Sequence, residues 1–143
     1  LSLVARQQMA TLFGGTHWRV RLPAGWRGEH DDTCATVAAD SGVGALQFSS
    51  ARKEGRPVTD DDLRDFAAEH VEAGARLAEV SLGDFTGYHL HFGTEDASWR
   101  NWYLRRGSVA LFVAYNCEPS QRGVEVREIR TILASLASDE PAA

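Results

Sequence analysis

The sharpest chemical candidate in this chain is His89-Leu90-His91, two imidazoles two residues apart, with Glu95 and Asp96 close behind. On an extended strand such a pair points to one face about 7 Å apart, within reach of a single metal ion. Two histidines are an incomplete ligand set. A metal site, a pH-sensitive or partner-contacting pair, and plain packing are the competing readings, and packing asks for least. Asp60-Asp61-Asp62 also looks like a cation site, but it follows Thr59, a good helix N-cap. Acidic residues in a first helical turn are explained by the helix dipole alone. Cys34 and Cys117 have no C-x-x-C spacing, and nothing in their placement selects a base among the five histidines. The G-x-S-x-G elbow, the Walker lysine and a complete dinucleotide loop are absent, since Gly42-Val43-Gly44 lacks both the third glycine and the helix. The expectation is no catalytic residue, no bound metal and no cofactor.

The 143 residues suit one domain, with 43% hydrophobic and 24% charged content, ordinary for a globular chain. A net charge of -5 argues against nucleic acid, whose phosphates call for a basic stripe. Lys53 is the only lysine among 15 basic residues, an arginine bias typical of GC-rich bacterial genomes. No apolar run of about 18 residues exists, so no membrane association is expected. No signal peptide is visible and two small thiols suit a reducing compartment, giving a cytoplasmic expectation; a trimmed N-terminus would leave the periplasm open.

The elements that must position these residues follow from periodicity. Residues 2–13 suggest a helix stopped by Gly14-Gly15, within an N-terminal helical extension over 1–15. Residues 16–22 read as a strand that ends at Pro23-Ala24-Gly25-Trp26, with a loop over 26–32. Strands over 33–38 and 43–49 flank the turn Asp40-Ser41-Gly42. Thr59 caps a helix whose Leu63, Phe66, Ala67, His70 and Val71 form one buried stripe, with Gly74 as its stop. Lys53 sits in a polar loop before it. Strands over 76–82, 85–92, 99–106 and 109–116 come next. Gly107-Ser108 suits a two-residue hairpin turn that sets Leu104 opposite Leu111, Tyr103 opposite Phe112 and Trp102 opposite Val113. Pro119 and Ser120 open a last helix with Val126, Ile129, Ile132, Leu133 and Leu136 inward, before a flexible tail over 138–143.

Alternation divides the later strands into two faces. Tyr88, Leu90, Phe92, Trp102, Leu104, Leu111, Val113 and Tyr115 form a plain core face. The other carries His89, His91, Trp99, Asn101, Tyr103, Arg105, Ala110, Phe112, Ala114 and Asn116. A helix can cover this mixed face, or part of it can stay open as a recognition groove. Trp, Tyr and Arg are favoured anchors at interfaces, so His89, His91, Trp99, Tyr103 and Arg105 are the partner-binding candidates.

The order of elements, together with Val20-Arg21-Leu22-Pro23-Ala24-Gly25-Trp26, Val80-Ser81-Leu82-Gly83-Asp84-Phe85-Thr86-Gly87-Tyr88 and the strand–helix closure over 111–136, resembles the Mog1/PsbP-like superfamily across residues 16–137. The resemblance implies an α+β fold: an antiparallel β-sheet flanked by helices, an α/β/α sandwich. It also implies non-catalytic binding. The expected function is a bacterial protein-binding module, in one version an immunity or chaperone-like protein of a secretion or toxin system. Its expected partner is a protein or peptide, a second copy included. The alternative is a small metal- or thiol-dependent enzyme using His89 and His91.

Overall fold

Gly107 and Ser108 form a two-residue turn, and the pairing that grows from it is the expected one: Trp102 faces Val113, Tyr103 faces Phe112 and Leu104 faces Leu111. A computed structural model describes residues 11–142. Its strands are β1 (Thr11–Gly14), β2 (Arg19–Leu22), β3 (Trp26–His30), β4 (Ala35–Ala39), β5 (Gly44–Arg52), β6 (Ala78–Leu82), β7 (Phe85–Gly93), β8 (Ser98–Arg106) and β9 (Val109–Cys117). Its helices are α1 (Asp60–Glu72) and α2 (Val126–Ala134), the second preceded by a 3-10 turn, Pro119–Gln121. Strands β3 to β9 make one antiparallel sheet in the order β3-β4-β5-β9-β8-β7-β6, while β1 and β2 pair as a separate hairpin. The class is α+β.

The topology explains where α1 lies. After β5, in the middle of the sheet, the chain must reach the far edge to begin β6, and α1 spans that distance across β8 and β7. Leu63 and Ala67 of α1 pack there with Val58, Tyr88, Leu90 and Tyr103. The opposite face holds the larger core. Trp18, Val20 and Leu22 on or beside β2, and Ile129, Ile132 and Leu133 of α2, close over Phe48, Trp102, Leu104 and Leu111. Trp18 stacks on Phe48 with ring centroids 4.3 Å apart. No described helix is long and apolar enough to cross a membrane.

Several expectations are corrected. Residues 11–14, expected at the end of a helix, form β1 against β2; the remainder of that expected helix, 1–10, lies outside the described residues. Residues 26–30, expected as loop, form edge strand β3, in register with β4. At Gly28 the ring of Phe13 takes the space of a side chain, so the apolar alternation that would betray a strand is missing. The last helix begins at Val126, since Pro119 opens only a 3-10 turn. The expected stripe on α1 is narrower: Leu63 and Ala67 are buried, whereas Phe66 is 66% and Val71 40% exposed. The tail is held rather than loose. The Ser138 amide donates to Asp84, its hydroxyl donates to the His17 carbonyl, and the Ser108 hydroxyl donates to the Glu140 carboxylate.

The largest correction concerns β7. Tyr88 pairs with Tyr103 and His89 with Trp102, so the inward and outward sets of β7 are exchanged relative to expectation. His89 and His91 share a face with Trp102 and Leu104, whereas Tyr88, Leu90 and Phe92 share one with Asn101, Tyr103 and Phe112. Helices on both sides of the sheet make both of these sets apolar targets, and alternation alone then carries no sign.

Candidate functional site

The five candidate residues fall into two places. Trp99, Tyr103 and Arg105 lie on the α1 face; His89 and His91 lie on the other.

On the first face, α1 is fixed at its start. Thr59 and Asp62 form a reciprocal capping box, and Lys53 Nζ donates to Asp62 at 2.6 Å. Lys53 is therefore tied to the helix, not a free loop residue. The Asp62 carboxyl is held down at about 2, first by Lys53 and then by the Thr59 amide. Arg105 Nε donates to Asp60 at 2.7 Å, and that bond lowers the Asp60 pKa against the opposing effect of burial. The amide of Val58 donates to the carbonyl of Gly107, joining this corner to the β8–β9 turn.

One turn further along, Phe66 sits edge-on to Tyr103 and Phe112, with centroids 5.7 and 5.4 Å away. It overhangs a cleft of about 310 Å³ between helix and sheet. Val58, Leu63 and Phe112 are its walls, and Ser49, Ala51 and Ala110 contribute small residues. Tyr103 is buried, and its hydroxyl accepts from the amide of Asn101 at 3.0 Å. Burial raises the Tyr103 pKa. Trp99 belongs to a separate column at the other end of α1, parallel to Phe92 at 6.0 Å, with Phe92 in turn stacked on His70 at 4.2 Å. Of the three partner-binding candidates on this face, Tyr103 lies beneath α1, closing the groove there, while Trp99 and Arg105 are partly exposed.

On the second face the His89 and His91 rings are 6.4 Å apart, with His91 exposed. His89 leans on Trp102 at 5.0 Å, and its Nε2 accepts from Arg100 Nε at 3.4 Å. Burial, then Arg100, then His91 hold its pKa down to about 4. That nitrogen is occupied by a cationic donor, an arrangement that opposes a second positive charge. Among the described residues no three His, Cys, Asp or Glu side chains gather as a metal set. Cys34 and Cys117 are unpaired thiols, the first half-buried and the second buried.

Phe66 and Arg100 escaped the sequence reading for different reasons. Phe66 fits the apolar stripe by spacing, and only the seating of the helix over β7 and β8 turns it outward. Arg100 left a usable signal: it occupies the same face of β8 as Trp102 and Leu104, where a charge needs a reason.

No family model matches the chain, and no curated protein matches it. A solved protein of Bacteroides thetaiotaomicron VPI-5482, with a crystal structure at 1.50 Å resolution, is similar to it at 14% identity and a TM-score of 0.61. The likeness covers 88% of this chain and 46% of that one, so this chain spans about half of its neighbour's length. At that identity the likeness is one of fold.

Proposed function

We propose that the chain is a non-catalytic bacterial protein-binding module, with the cleft beneath Phe66 as its docking point. The observation that carries the reading is a phenylalanine 66% exposed on the lip of an apolar cleft. Large apolar side chains left in water beside a concave apolar surface mark contact sites more often than scattered exposed residues do. The charged groups at the cleft are paired, Lys53 with Asp62 and Arg52 with Glu140, so none is a free acid or base there. The partner is a protein or peptide that inserts one aliphatic or aromatic side chain into the cleft lined by Val58, Leu63, Phe66 and Phe112, and a second copy of the chain can play that part.

Placement of the chain among Mog1/PsbP-like proteins is part of the same proposal. Helices on opposite faces of one antiparallel sheet support it, as an α/β/α sandwich requires. An immunity or chaperone-like role rests on that placement. Two unpaired thiols fit a cytoplasmic setting.

Peptide-display selection on the immobilised chain tests the proposal. Enriched sequences are expected to share an aliphatic or aromatic anchor and to lose binding to Phe66→Ser. The substitution removes two edge-on aromatic contacts and should cost about 1–3 kcal/mol of stability. Equal binding to wild type and a folded Phe66→Ser variant would overturn the docking point. Sedimentation over a range of concentrations reports whether the second copy is the partner.

A further inference from the structure

At the opposite end of β8 from Arg105, Arg100 lines a pocket of about 590 Å³. Its guanidinium lies over the Trp102 ring, 4.8 Å from the centroid, and its Nε is spent on His89. Nη1 is sealed from water and has no hydrogen-bond partner. None of the six ion pairs among the described residues includes Arg100. Residues 1–10 contain no Asp or Glu with which to make one. Glu125, which follows the pocket's Gly123, makes no ion pair with Arg100 either, its Oε1 accepting from the Tyr115 hydroxyl at 2.7 Å and the Gly44 amide at 3.1 Å. Two cations stand close to Arg100. Arg122 lines the same pocket, and Arg130 is close enough to add to burial in lowering the Arg100 pKa. A half-buried cation among cations is costly unless an anion joins it.

The rest of the lining says what kind of anion. Ala97, Pro119 and Val126 present carbon to the cavity, beside the polar Thr94 and Ser98, and a pocket of this volume holds a small organic molecule. A guanidinium matches a carboxylate as a planar fork. We propose that this pocket binds a small carboxylic acid, its carboxylate against the part of Arg100 that lines the pocket with Arg122 at the rim, and its apolar body against Ala97, Pro119 and Val126. The site is on the opposite face of the sheet from the Phe66 cleft and stands independently of it.

Titration of the full chain with sodium benzoate, followed by heteronuclear NMR and thermal unfolding, tests the assignment. Benzamide keeps the ring and removes the charge; sodium chloride controls for ionic strength. Benzoate is expected to shift the Trp102 indole N–H and the amides of residues 97–100 saturably and to raise the melting temperature. Benzamide and chloride should do neither. Arg122→Ala, at an exposed position, should weaken binding about five- to tenfold, and Arg100→Gln should abolish it. Absence of a saturable shift in the wild-type chain overturns the proposal, as does benzamide binding as tightly as benzoate or a folded Arg100→Gln retaining wild-type affinity. Should Arg100→Gln fail to fold, the benzamide comparison and Arg122→Ala still decide.

Discussion

Trp102 serves two neighbours at once, filling the larger core while its ring carries Arg100 and abuts His89. Trp102→Ala should therefore lower stability by about 3–5 kcal/mol in urea unfolding, and a wild-type-like midpoint would contradict the burial. His89 gives a pH signature. Its folded pKa of about 4 lies below the ordinary 6.5, so the unfolded chain binds the extra proton first. Stability should be full above about pH 6.5 and decline as pH falls toward 4. His89→Gln should flatten that slope, and parallel slopes for the two proteins would refute the assignment. Asp62 acts in a lower window: its carboxyl, depressed from 3.8 to about 2, stabilises above pH 4 and stops doing so as pH falls through 2. At this scale the sequence was informative about residue types and poor about neighbours. Tyr103 and Arg105 were marked as contact residues, yet nothing local announces that Asp60 meets Arg105 or that α1 lies over Tyr103.

Helix α1 was legible because its start is written in local chemistry, Thr59 followed by three aspartates, and local chemistry does not depend on the rest of the fold. Thr59→Ala should cost about 0.5–2 kcal/mol by removing one half of the capping box. Helix α2 is held by packing instead. Its start has no side-chain cap, and Leu133→Ala should cost about 2–5 kcal/mol. If calorimetry shows α2 indifferent to Leu133, its seat over β2 is wrong. Hairpin β8–β9 was equally readable, since a two-residue turn at Gly107 fixes register without outside help. Strand β7 was not. A four-residue loop over 94–97 joins it to β8, and either pairing parity places apolar side chains under a cover. Strand β3 was hidden at an edge, where Arg27, Glu29 and His30 are exposed and Gly28 carries no side chain to alternate.

Across the whole molecule, the segment after α2 works as a strap. Arg19 and Ala137 exchange backbone hydrogen bonds, Ser138 reaches His17 and Asp84, and Glu140 reaches the β8–β9 turn through Ser108 and the Arg106 side chain. Gly107, at φ 56°, has the Pro141 carbonyl pressed against the place where a Cβ would stand. Ser138→Ala should cost about 1 kcal/mol, a fall of roughly 3 °C in melting temperature; an unchanged melt would show the strap to be idle. The pairing of β2 with α2 also has a timetable. The Arg21 amide donates to the Ser135 hydroxyl, a partner 114 residues later in the chain. A ribosome adding about 5–20 residues per second needs on the order of ten seconds to cover that distance. Through that interval Trp18, Val20 and Leu22 have been synthesised and the α2 face that buries them has not. Until α2 emerges, a nascent chain thus carries one apolar hairpin face that its final cover cannot yet reach.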